Sequence, residues 1–243
     1  MESAHTVYKP FPPTRWTLVS KASSAETQER CVALEELCRL YWPPVYAFIR
    51  SKGSSPEEAE DLTQGFFAEF LERQNFSQAD DKRGKLRSYL LKSVSNFMAQ
   101  NYRNQTRQKR GGKAPVLSLD MTDEEGNTIL LEPEDGVTPE SIFEKQWALT
   151  VLRQVFDQLQ RRYREKEQTE IFEALRFVIS SEEEGESYSQ IAARLEMKEN
   201  AVKVAAHRLR ERYGIALREI IADTLAPDHN IDEEIRELMK VFS

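Results

Sequence analysis

The chain is predicted to be all-α: two helical domains joined by an acidic linker, the second containing a helix-turn-helix. Three observations predict this. Apolar residues recur at helical spacing in most stretches between turn signals. Gly and Pro are few, 9 and 10 of 243 residues, and a charged share of 31% beside 40% hydrophobic suits a helical protein. Charge is also segregated. Residues 82–113 hold ten Lys or Arg and no Asp or Glu, although the whole chain nets −7, and residues 120–144 are acidic. A chain of 243 residues has room for two cores. Its acidic balance argues against a general DNA-coating protein. It does not exclude nucleic acid, because the positive charge is gathered in one place.

Residues 1–26 read as an N-terminal arm with Pro10, Pro12, Pro13 and an anchoring segment around Trp16. Helical periodicity begins near Thr27. Leu34, Leu37, Cys38 and Tyr41 share a face, Pro43-Pro44 is expected to interrupt, and Val45, Tyr46, Phe48 and Ile49 resume the pattern until Gly53 ends it. Ser54-Ser55-Pro56-Glu57-Glu58 then starts a second helix: a Ser cap, Pro in the first turn, and acids at the positive helix end. Ala59, Leu62, Phe66 and Phe70 line one side of it, with Phe67 and Leu71 beside them. A loop over 74–83 leads to the basic stretch. There Leu86, Leu90, Val94, Phe97 and Met98 form the inward face, and Arg87, Lys92, Arg103 and Arg107 are expected on an outer basic face. The first domain is therefore placed at 27–113.

Residues 114–138 read as the linker, with turn formers at Gly126-Asn127, Pro133 and Asp135-Gly136. Thr138-Pro139-Glu140 opens the second domain, placed at 139–228. Its first helix carries the stripe Ile142, Phe143, Trp147, Val151, Val155, Phe156, Leu159, Tyr163, and a further apolar set follows at Ile171, Phe172, Leu175, Val178 and Ile179. Over 187–213, Ile191, Ala192 and Leu195 mark a short helix, 196–199 a tight turn, and Val202, Ala206, Leu209 and Tyr213 a second helix. A small residue facing a branched one across a short turn is helix-turn-helix packing. Glu196 stands where that turn often takes Gly, and a left-handed backbone there costs a non-Gly residue about 1 kcal/mol. Residues 229–243 form an amphipathic tail, with Ile231, Ile235, Leu238, Met239 and Phe242 on its apolar side. It is expected to cap the second domain, or else to dock a partner.

No catalytic residue, metal ligand set or cofactor motif stands out, so the protein is not read as an enzyme. Cys31 and Cys38, seven apart on one helix, are too far apart for a disulfide and are read as free thiols in a reducing cytosol. His5, His207 and His229 are too scattered for a zinc site. No stretch is long and apolar enough to insert in a membrane, and no signal peptide is present.

Three segments together resemble the extracytoplasmic-function (ECF) sigma factors of bacterial RNA polymerase, within the sigma-70 family. Residues 56–73, PEEAEDLTQGFFAEFLER, are similar to that family's polymerase-binding helix. Residues 82–110, with Arg83-Gly84-x-Leu86-Arg87, resemble its promoter-melting helix, and 188–213 resemble its reader of the upstream element. With the linker, the resemblance covers about 34–225. It implies a cytoplasmic protein that binds core RNA polymerase and promoter DNA, with an anti-sigma or other regulatory protein as a further partner. Carried over by position, Glu58, Asp61, Gln64 and Glu69 would face polymerase. Phe76, Arg83, Lys85, Arg87, Tyr89, Lys92, Tyr102, Arg103, Arg107, Lys109 and Arg110 would serve the −10 region. Of these, Tyr89 (like Phe97) is left open between base stacking and the core. Lys198, Asn200, Lys203, His207, Arg208, Arg210 and Arg212 would serve the −35 region. Val204-Ala205 stand where many members carry Ser-Arg, so the family's usual upstream preference is not carried over. The acidic linker is expected to screen the basic helix in the free protein. The competing expectation is a stand-alone helix-turn-helix regulator that never joins polymerase.

Overall fold

A computed structural model describes residues 27–72, 85–107, 138–180, 186–225 and 229–242. These residues are helical, with no strand among them. In chain order the helices are α1 (Thr27–Ser51), α2 (Pro56–Glu72), α3 (Leu86–Arg107), α4 (Pro139–Arg164), α5 (Thr169–Leu175), α6 (Tyr188–Arg194), α7 (Glu199–Ala222) and α8 (Ile231–Lys240). A 3-10 turn, Arg176–Val178, follows α5. The N-terminal arm, the 74–83 loop and all of the linker except Thr138 lie outside the described residues.

The expected interruption at Pro43-Pro44 does not occur. α1 runs through both prolines. They withhold two backbone donors, from the carbonyls of Arg39 and Leu40, and a mid-helix Pro costs ~3 kcal/mol. Burial outweighs this. Leu40, Tyr41, Val45, Phe48 and Ile49 are fully buried, and each large apolar side chain removed from water contributes ~1.5–3 kcal/mol. Gly53, at φ 93°, then ends the helix in a conformation that suits glycine. Ser55 caps α2 reciprocally. Its hydroxyl accepts from the Glu58 N–H at 3.2 Å, and its own N–H donates to the Glu58 carboxylate at 3.1 Å.

α2 buries Ala59, Thr63, Phe66, Phe67 and Phe70 against α1 and α3. Trp42 stacks on Phe67 with ring centres 5.7 Å apart, and Phe97 meets Phe66 edge-on at 5.7 Å. α4 starts at a Thr138 cap whose hydroxyl accepts from the Ser141 N–H at 3.2 Å. Its predicted stripe is buried from Ile142 to Tyr163, apart from the half-buried Phe156. The most extensive helix–helix packing in the described residues joins α1 to α4, so the buried side chains of α1–α3 and α4–α8 form one connected core. α7 packs on α4 and α6, and α8 packs on α7 and α4. Leu238 of α8 is buried, but Met239 and Phe242 are exposed, so the packed face of the tail is narrower than its apolar pattern implies.

Candidate functional site

The exposed side of α2 is acidic. Glu57, Glu58, Glu60 and Asp61 face solvent, while Gln64 and Glu69 are half-buried farther along. With Ala59, Thr63, Phe66, Phe67 and Phe70 all turned inward, the outer face is a rigid platform of carboxylates. Such a platform fits a basic protein surface.

Between α2 and α3 lies a cleft of about 480 Å3, lined by Phe66, Glu69, Phe70, Tyr89, Lys92, Asn96 and Phe97 among others. Tyr89 is half-buried on its wall, with its ring 6.0 Å from that of Phe70. Phe97 is likewise half-buried, so both rings belong to core and cleft at once. Lys92 is exposed at the rim. Farther along α3, Tyr102 is 72% exposed and Arg103 is exposed. Arg107 belongs to the helix, whereas Phe76, Arg83, Lys109 and Arg110 lie outside the described residues. Aromatic walls with amides and a lysine at the mouth suit a planar, unpaired base on a phosphate chain.

The start of α3 departs from the expected outer basic face. Arg87 is buried, with 8% of its side chain exposed. Its guanidinium lies 4.4 Å over the Trp147 ring of α4 and 2.7 Å from the Glu144 carboxylate through Nε. It also pairs with Glu234 and, at 3.3 Å, with Glu237, both from α8. Nε and Nη1 are held by charge rather than by aligned hydrogen bonds. Lys85 joins the cluster, 2.7 Å from Glu234 and paired with Glu237. Glu234 is 2% exposed, so its charge requires these partners. Burial raises the pKa of Glu144 above the ordinary carboxylate value, against the pull of Arg87 and Lys85. Glu237 is lowered instead, chiefly by the hydrogen bond from Lys85.

In the C-terminal part, α6 begins at a Ser187–Gln190 capping box. Ile191 and Ala192 of α6 are buried with Val202, Ala206 and Leu209 of α7. Glu196 makes the turn at φ 52°, and the Met197 N–H returns to the Ala192 carbonyl at 2.9 Å. Lys198, Asn200, Lys203, His207, Arg208 and Arg210 are exposed, whereas Arg212 is half-buried, 5.2 Å from the Tyr163 ring. Lys203 pairs with Glu199 at 2.7 Å, and His207 Nδ1 stands 3.7 Å from Glu211. Among the described residues no group of His, Cys, Asp and Glu could hold a metal ion, and no helix is long and apolar enough to cross a membrane.

Residues 37–108 match the family model Sigma-70 region 2. This segment is similar to the Sigma-70 region 2 domain. It spans most of α1, all of α2 and α3, and therefore both the acidic platform and the aromatic cleft. No curated protein and no solved structure matches the chain.

Glu144, Trp147, Glu234 and Glu237, the partners of Lys85 and Arg87 at the start of α3, were not among the residues expected from sequence. Two signals were available. Arg87 stands three, four and seven residues before Leu90, Leu91 and Val94, on the apolar side of α3. Glu234 falls between Ile231, Ile235 and Leu238, on the apolar side of α8, where an unpaired carboxylate would be costly.

Proposed function

We propose that this protein is a sigma factor of the extracytoplasmic-function type, a non-enzymatic cytoplasmic subunit that binds core RNA polymerase and directs it to promoters. The observation that carries this reading is the Sigma-70 region 2 match over 37–108, the segment that holds both candidate surfaces. Glu58, Asp61, Gln64 and Glu69 on α2 make the polymerase contact. Tyr89, Lys92, Tyr102, Arg103 and Arg107 on α3, with Phe76, Arg83, Lys109 and Arg110, engage the melted −10 strand. Stacking of an unpaired base on an aromatic ring contributes ~1–3 kcal/mol. α6 and α7 are a helix-turn-helix whose exposed Lys198, Asn200, Lys203, His207, Arg208 and Arg210, with Arg212 at the margin, read the −35 element. A bidentate Arg–guanine pair there discriminates by ~1–3 kcal/mol. An anti-sigma protein, or the acidic linker, restrains the free form.

The deciding experiment is a pull-down of core polymerase with the full chain, followed by run-off transcription on a genomic library. Core binding with discrete new transcripts is expected. Duplex DNA binding without core association would make the protein a stand-alone regulator and α2 an ordinary core helix.

A further inference from the structure

We propose that α8 is an internal mimic of a nucleic-acid backbone, covering the first cations of the region 2 helix α3 until the phosphates of single-stranded DNA displace it. The proposal rests on reading α3 as a DNA-facing helix.

Three observations carry it. First, the two carboxylates that α8 aims at α3, Glu234 and Glu237, both contact Lys85 and Arg87. Two anions one helical turn apart, gripping a lysine and a guanidinium, reproduce the pattern of adjacent phosphates on the same cations. Second, the cover is built to detach. α8 has ten residues, too few to be stable alone in water. Its fixed apolar anchor is Leu238, helped by the half-buried Ile231 and Ile235, and an exposed Arg218–Asp232 pair ties its first turn to α7. Third, the buried ion pairs hold it less firmly than their number implies. Desolvation of Arg87 and Glu234 offsets much of their attraction, so exchanging one set of anions for another costs little.

Release of α8 leaves the rest in place. The α1–α4 contact does not involve the tail, and Glu144 with Trp147 still seats Arg87. Lys85 and the Nη side of Arg87 become accessible at the start of α3. The cover thus withholds the two cations nearest the N-terminal end of α3 from the free protein.

The test uses the full chain, in wild-type form and as Glu234→Gln/Glu237→Gln. Two readouts are taken: amide hydrogen exchange over α8 and residues 85–89, and affinity for a fluorescent single-stranded DNA oligonucleotide of mixed sequence. The control Glu165→Gln/Glu170→Gln removes the same charge from exposed positions outside α8. The expected result is faster exchange in both segments and oligonucleotide affinity raised about 10-fold, within the usual span of intramolecular coupling, with the control near wild type. Unchanged exchange overturns the proposal. So does an affinity gain matched by the control, or faster exchange with no gain. Should the double variant lose its helical circular dichroism, Glu237→Gln alone decides on the same readouts, because that carboxylate is 43% exposed and not needed for the core. Failure of wild type to bind core polymerase, with these readouts as expected, would remove the sigma-factor reading and leave the cover standing.

Discussion

Glu196 adopts a backbone conformation that its side chain disfavours. At φ 52° it closes the turn between α6 and α7, a position whose cost is absent for glycine. Glu196→Gly is expected to raise unfolding stability by up to ~1 kcal/mol in urea melts, and Glu196→Val to lower it. Glu167, at φ 56°, does the same at the end of α4, where the Gln168 N–H reaches the Tyr163 carbonyl at 2.9 Å. Cys38 is a free thiol whose pKa burial pushes up to about 11. In a Cys31→Ser background its alkylation at mildly alkaline pH is expected to run ~100-fold slower than that of free cysteine, since only the thiolate reacts. Rapid labelling would show that Cys38 is solvated. The ion cluster carries two opposite pH signs. Glu237 is lowered, so its stabilisation is complete above the unfolded value of 4.5 and is lost as pH falls through the folded value. Glu144 is raised, so its share is present below 4.5 and is lost as pH rises through its folded value. The stability difference between wild type and Glu237→Gln is therefore expected to shrink as thermal melts move from neutral pH into the carboxylate range. A constant difference would mean that Glu237 and Lys85 do not pair in solution.

Helix α7 illustrates what decides an element. Its inward positions Val202, Ala206, Leu209, Ala216, Leu217, Ile220 and Ile221 are buried at helical spacing. Gly214 sits within it, and a Cβ added there would have no heavy atom within 4 Å. Gly214→Ala is expected to stabilise the protein by ~0.5–1 kcal/mol, measured by denaturant midpoint, through helix propensity alone. A loss would reveal a close neighbour at that site. α1 teaches the converse. Local chemistry at Pro43-Pro44 indicates a break, and the contact with α4 carries the helix across it. Caps were more legible: the Ser55 cap on α2 and the Thr138-Pro139 start of α4 follow from residue type and position.

Among the described residues, one connected core holds α1–α3 against the C-terminal helices and leaves the acidic side of α2 facing solvent. The acidic face of α2 is separate from the packing that stabilises it. Asp61→Ala is therefore expected to weaken core polymerase binding while shifting unfolding stability by less than ~0.5 kcal/mol, as substitutions at exposed positions usually do. Unchanged core affinity would take α2 out of the interface.

The sequence by itself determined the helical class, most inward positions of the described helices, the caps of α2 and α4, and the concentration of positive charge in residues 82–113. These are set by neighbours within a turn or two, where spacing alone decides what faces what. It also placed the residues that match Sigma-70 region 2, because that pattern is carried by contiguous segments. Only the tertiary structure decided which partners Lys85 and Arg87 meet. Lys85 meets Glu237 across 152 positions of chain, and no periodicity within α3 reports a carboxylate so distant. Local spacing already turns Arg87 inward, with Leu90 one turn and Val94 two turns along the same face of α3. Glu144, Trp147 and Glu234 let it stay there, since a guanidinium stacked on an indole and ringed by carboxylates tolerates the loss of water that would expel an unpaired charge.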